Sequence, residues 1–202
     1  MRNNGFYIFF LITLLYGCMG CSSGKNLSIR YYNENREMLD SIQTRFKFAY
    51  NKKPFHIEFK DKNFQYISFE MLSDSFRYIY NFDLQKNNFV DTLSKYNYNS
   101  INIINLIADM RSIHCTWISN LDYYENQQLK NLVFISVRSN RLKSFLSGEK
   151  YYALVYFNEN QFFDVNGRLT DKSQRKRIRE INGHLFYKIT DKIFYAIIGN
   201  FR

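Results

Sequence analysis

The residues with most to offer chemically are three histidines, three cysteines and one dense basic run. His56, His114 and His184 do not fall in a metal-ligand spacing such as His-x-x-x-His, and none has a second histidine within one helical turn. His114 is followed directly by Cys115, which suggests thiol chemistry, but adjacent residues on a helix point in different directions and do not face each other. His114 also keeps helical spacing with Ile107 and Leu121, so it is expected on their apolar stripe, buried and hydrogen-bonded rather than acting as a ligand or base. There is no Gly-x-Ser-x-Gly elbow, and Ser147-Gly148-Glu149-Lys150 lacks both the earlier glycine and the following hydroxyl of a phosphate loop. Asp122 with Glu125, and Asp164 with Asp171, are the acid groupings near element ends, and they read as solvated surface carboxylates. No catalytic residue, metal site or cofactor is therefore assigned.

Two features could bind rather than react. Within Lys172–Arg179, Arg175, Lys176, Arg177 and Arg179 form a cluster able to grip phosphates or acidic sugars, because guanidinium forks hold oxyanions bidentately. Ile178 and Ile181 give the same segment an inner edge, so the competing reading is the wet face of a helix. The run from Phe76 to Phe82 places Phe76, Tyr78, Tyr80 and Phe82 on one face of a strand. Tyr78 and Tyr80 are the candidates for an aromatic platform, against the plainer alternative of a sheet face covered by helices.

The N-terminus supplies an address. A polar start with Arg2, an apolar run from Phe6 to Tyr16 and small residues before a cysteine have the build of an export signal. That run is too short for the ~20 residues a membrane-spanning helix needs. Leu15-Tyr16-Gly17-Cys18 resembles the lipobox of bacterial lipoproteins. The resemblance covers only the first two dozen residues. It implies removal of residues 1–17 and lipid (palmitate among the acyl chains) on Cys18, with Cys21, which has the Cys-Ser-Ser-Gly exit, as the alternative acceptor. It further implies a bacterial cell envelope location, with lipid anchorage to the inner or outer membrane.

That address changes what the bulk composition means. The 202-residue chain has 28 Lys and Arg against 18 acids, a charge of +10 with histidines neutral. In a cytosolic protein this would point to nucleic acid. An exported, tethered chain meets acidic envelope components instead, so nucleic acid is not the expected partner. Cys115 alone lies outside the signal region, which excludes a disulfide within the folded part. It is expected as a buried small hydrophobe.

The elements that must position these residues follow from periodicity. Residues 18–30 read as a tether and residues 31–202 as one domain. Apolar residues at helical spacing predict an amphipathic helix from Asn33 to Tyr50, stopped before Lys53-Pro54. Alternation predicts a hairpin over residues 55–60 and 64–70, then a strand over 76–82. Residues 83–99 are Asn-rich, with a turn of helix around Val90–Ser94. The spacing of Ile104, Ile107, Met110, Ile113, Trp117, Ile118 and Leu121 predicts a long helix from Ile101 to about Asp122, N-capped by Ser100 and pressed against a sheet. The last third reads as a meander: strands at 132–138, 151–157 and 161–165, a turn at Asn166-Gly167, a helix over about 172–182, and a final hairpin around Asp191-Lys192.

The fold class expected is α+β, a mainly antiparallel sheet packed by two or three helices in a single domain. The function expected is a lipid-anchored envelope protein that binds a protein partner or acidic ligand without catalysis. The alternatives are an envelope hydrolase assembled from dispersed residues, such as His114 or His184 with Asp164, and a structural subunit of a surface assembly.

Overall fold

The computed structural model describes residues 23–73, 75–86, 88–125, 127–138, 151–161 and 186–198. Helix α1 (Ser23–Lys52) leads, followed by strands β1 (Phe55–Phe59), β2 (Tyr66–Leu72) and β3 (Arg77–Asp83). Helices α2 (Asn88–Lys95) and α3 (Ser100–Ser112) come next, then β4 (Trp117–Glu125), β5 (Gln128–Arg138), β6 (Tyr151–Phe157), β7 (Tyr187–Lys188) and β8 (Ile193–Ile198). The strands form one antiparallel eight-stranded sheet in the order β3-β2-β1-β4-β5-β6-β8-β7, so the α+β class is as expected.

Helix α1 buries Tyr32, Leu39, Ile42, Phe46 and Ala49, the stripe that its sequence spacing requires. It starts at Ser23, ten residues before the expected start, so residues 23–30 of the expected tether are helical. The polar run Asn33-Glu34-Asn35-Arg36 marks a kink inside the helix rather than its beginning. Asn35 leaves helical geometry (φ −122°, ψ 18°), and its side-chain amide donates to the Tyr31 carbonyl at 2.9 Å, satisfying the acceptor that the kink strands. Upstream of the kink Ser28 is fully buried, which ties this extra segment to the body of the fold.

The hairpin of β1 and β2 forms as alternation dictates, with Phe55, Ile57 and Phe59 inward. Asp61 builds its turn by accepting from the backbone N–H groups of Asn63, Gln65 and Tyr66 at 3.1, 2.9 and 2.8 Å.

The long helix expected over 101–122 is instead the thirteen-residue α3 followed by β4. Its N-cap is Asn99, whose side chain accepts from Asn102 N–H at 3.1 Å, so Ser100 is the first helical residue rather than the cap. Its end is a left-handed stop without glycine. His114 takes φ 55°, its N–H donates to the Arg111 carbonyl at 3.1 Å, and Cys115 N–H donates to the Met110 carbonyl at 2.8 Å. This is the Schellman arrangement, with buried Cys115 and Met110 as its apolar pair. Nor is α3 pressed flat on the sheet: Ile103, Leu106, Ile107 and Met110 are buried, while Ile101 and Ile104 are exposed.

The sheet carries apolar side chains on both faces across its centre. One face joins Ile57, Ile67, Phe69, Ile118, Ile135, Leu154 and Tyr195 to the three helices. The other unites Tyr123, Leu132, Phe134, Val155, Phe157, Phe186 and Phe194 in a second core. At the junction of β1 and β4 the register holds for two residue pairs, Ile57 with Ile118 and Glu58 with Trp117. The expected strand at 161–165, turn at 166–167 and helix at 172–182 lie outside the described residues. No helix among the described residues is long and apolar enough to cross a membrane.

Candidate functional site

Three helix ends converge beside the β1 entry. Helix α1 finishes at Lys52, α2 finishes at Lys95, and α3 begins at its Asn99 cap. Helix α2 ends as α3 does: Asn97 adopts φ 56°, and its N–H and that of Tyr98 donate to the carbonyls of Ser94 and Leu93 at 3.0 and 2.9 Å. The chain turns sharply there and leaves a cleft of about 450 Å³ lined by Lys52, Lys53, Ser94, Asn97, Tyr98, Asn99 and Asn102, with Ala49 and Ile103 as its apolar floor.

The chemistry of that lining is one-sided, since it offers two ammonium groups and three primary amides but no carboxylate. The first turn of α3 adds the positive end of a helix dipole. Lys53 is partly committed to the fold, because its Nζ donates to the Tyr96 carbonyl at the end of α2 and lies 4.8 Å from the Tyr98 ring centre. Lys52 is exposed and lies 4.3 Å over the Phe48 ring, a contact that orients the ammonium without neutralising it. Tyr98 forms the inner wall. Its hydroxyl donates to the Pro54 carbonyl at 3.0 Å, and burial pushes its pKa up to about 12, so it stays a neutral phenol. The cleft can therefore hold an anion bearing hydroxyls or carbonyls, with cations at its rim and amides that serve as both donor and acceptor.

The candidates expected from the sequence fall in different places. Tyr78 and Tyr80 share a face of β3 but differ in exposure. Tyr78 is exposed beside Phe76, with ring centres 6.1 Å apart. Tyr80 is half-buried, shares a 2.7 Å hydroxyl hydrogen bond with Tyr96, and leads into the core through Phe82 and Phe89. The face is thus open at one end and covered by α2 at the other. Cys18, Cys21, Arg175, Lys176, Arg177, Arg179, Asp164, Asp171 and His184 lie outside the described residues.

His114 is exposed, not buried on an apolar stripe, because its left-handed conformation turns it out at the helix end. Its ring meets the Phe64 ring edge to face at 5.4 Å. Cys115 is fully buried as expected, donates to the Trp117 carbonyl at 3.6 Å, and has its pKa pushed up to about 12 by burial. A thiol so held is protonated at neutral pH and unsuited to nucleophilic attack.

A charged cluster that the sequence reading missed lies on the opposite sheet face. His56 and Glu70 are directly opposed across β1 and β2, with Nδ1 and Oε2 3.7 Å apart, and Arg77 forms an ion pair with the same carboxylate. Glu70 is 3% exposed, which keeps the group from solvent and gives it the character of an internal charge balance. Its only sequence signal was the hairpin register itself. For the cleft, the signal was the sequence Asn97-Tyr98-Asn99 at the end of the Asn-rich stretch, and asparagine turn chemistry does not reveal what a turn encloses. Among the described residues no three metal-ligating side chains come together. No protein-family model, curated protein or solved structure matches this chain.

Proposed function

We propose that this chain is a bacterial envelope lipoprotein, tethered through Cys18 or Cys21, whose folded part binds an acidic ligand in the Lys52–Asn102 cleft without transforming it. The cleft lining carries the proposal: two cations, three amides and no carboxylate around the first turn of α3. The tether rests on the Leu15–Cys18 resemblance, and the net charge, +10 for the full sequence and +9 once Arg2 leaves with residues 1–17, adds a long-range pull on anionic envelope material. Acidic glycans supply the matching chemistry, with carboxylates for the lysines and hydroxyls for the amides.

The binding half is tested by titrating an oligogalacturonate into the full chain in detergent, with a neutral oligosaccharide of equal length as control. Saturable binding that weakens with salt and falls about tenfold in Lys52→Ala and Asn102→Ala is expected, since a charged hydrogen bond is worth ~1.5–3 kcal/mol. Binding absent, or indifferent to both substitutions, overturns the assignment. The anchor half is tested separately by incorporation of labelled palmitate in cells expressing Cys18→Ala or Cys21→Ala. Loss of label in one of them identifies the acceptor, and retention of label in both, or its absence from the wild type, rejects the tether.

A further inference from the structure

Strand β3 closes one edge of the sheet, and the apolar surface there is unusual for an edge. Of the nine large apolar side chains exposed among the described residues, four belong to β2, to β3 or to the residue just before β3: Tyr66, Phe76, Tyr78 and Ile79. Exposed edges present unpaired N–H and C=O groups and are ordinarily blunted by charge, proline or a bulge. Between its end residues, Arg77 and Asp83, β3 has the uncharged sequence Tyr-Ile-Tyr-Asn-Phe, without proline. Its ladder with β2 runs unbroken over all seven residues.

The backbone pattern shows which groups face outward. Beyond the two ends of β3, Leu84 N–H donates to the Gln65 carbonyl and Ser73 N–H donates to the Phe76 carbonyl, both at 2.9 Å. Antiparallel ladders alternate, so the even-numbered residues of β3 bond to β2 and the N–H and C=O groups of Arg77, Ile79, Asn81 and Asp83 point away from the sheet.

We infer that β3 pairs with β3 of a second copy of this chain, antiparallel about a two-fold axis through Tyr80, to make a continuous sixteen-stranded sheet across two molecules. An isologous contact requires a self-complementary strand. In this register Arg77 lies opposite Asp83 of the second copy and Ile79 opposite Asn81, and all four are residues whose backbone groups point outward. Tyr78 lies opposite Phe82, Tyr80 opposite its own copy, and Phe76 opposite Leu84, so the exposed aromatic end of one strand covers the buried aromatic end of the other. Opposite charges directly across a ladder and aromatic pairs in its non-hydrogen-bonded positions are the favourable cross-strand combinations. Shifting by two residues in either direction keeps the outward groups matched but separates Arg77 from Asp83. Of these three registers only the centred one brings Arg77, which also pairs with Glu70 of its own chain, opposite Asp83.

The test is the mass of the full chain in detergent, by native mass spectrometry and sedimentation over a concentration series. A dimer is expected for the wild type. Asn81→Pro removes an outward N–H and leaves the β2–β3 ladder whole, so it is expected to raise the dimer dissociation constant at least ~tenfold while the far-ultraviolet circular dichroism of the folded chain is unchanged. Asp83→Arg is a second variant that places arginines opposite each other and is expected to weaken the dimer at low salt more than at high salt. A wild type that stays monomeric at every concentration overturns the inference. So does a dimer equally stable in folded Asn81→Pro and Asp83→Arg, because its contact would lie elsewhere.

Discussion

The Tyr31 hydroxyl donates to the Ile113 carbonyl at 2.6 Å, joining residues 82 positions apart in sequence. It binds the segment of α1 upstream of the kink to the residue at which α3 stops. Burial holds this phenol far above its ordinary pKa, and it donates the bond as a neutral group.

Replacing Tyr31 with phenylalanine keeps the ring and leaves a carbonyl of a buried residue without its donor. The expected cost is ~1–3 kcal/mol of folding stability, measured by urea unfolding at neutral pH. A change within the error of the extrapolation would show that the two helices are not coupled through this bond.

Tyr156 presents the opposite case. Its hydroxyl is buried and has no hydrogen-bond partner among the described residues. Tyr156→Phe is expected to leave stability unchanged or to raise it by up to ~1 kcal/mol, because an unmatched polar group is removed with its shape retained. A loss above that size in the same unfolding experiment would reveal a partner for the hydroxyl.

His114 is one of four non-glycine residues at positive φ among those described, and it stands where Schellman stops favour glycine. His114→Gly relieves the left-handed strain and gives up only the exposed ring contact with Phe64. A gain of ~0.5–1 kcal/mol, seen as a higher thermal midpoint, is expected. A lower midpoint would mean that the Phe64 contact outweighs the strain.

Alkaline pH is expected to unfold the protein for a specific reason. Burial pushes Cys115 from 9.0 up to about 12 and Tyr98 from 10.0 up to about 12. The folded state therefore holds these protons when the unfolded chain has released them, and stability falls as pH rises from about 9 towards 12. Below about 9 both states are protonated at these groups, and their contribution is constant. Urea unfolding across that window should give a declining free energy, and iodoacetamide at mildly alkaline pH should label Cys115 only in unfolded protein. A flat profile with rapid labelling would contradict the burial.

Much of the architecture could be read in residue order because local chemistry and tertiary packing agree there. The β1–β2 hairpin and β6 alternate or run apolar between turn residues, and their bounds are close to those expected. The long-helix reading failed for two physical reasons. The stop at His114 carries no glycine, and β4 is buried on both faces, with Ile118 in one core and Tyr123 in the other. A strand of that kind loses its two-residue alternation, and its apolar residues continued the helical spacing of α3 by coincidence. The cleft was harder still to foresee, because it brings together residues 49–53, 94 and 97–103 from three element ends. Which ends meet is decided by the packing of α1 across the sheet, not by any local pattern.

The brief pairing of β1 with β4 has a kinetic consequence. It divides the sheet into β1–β3 and β4–β8, two pieces within which the described neighbours up to β6 are also neighbours in sequence. Contacts within β1–β3 and within β4–β6 close short loops, whereas the seam, the β6–β8 pairing across residues 158–192, and α1, packed against β5, β6 and β8 and reaching Phe55 through Phe46, impose the long ones. Two early nuclei with low loop-closure cost, joined late by the docking of one kinked helix, is the folding order this topology favours.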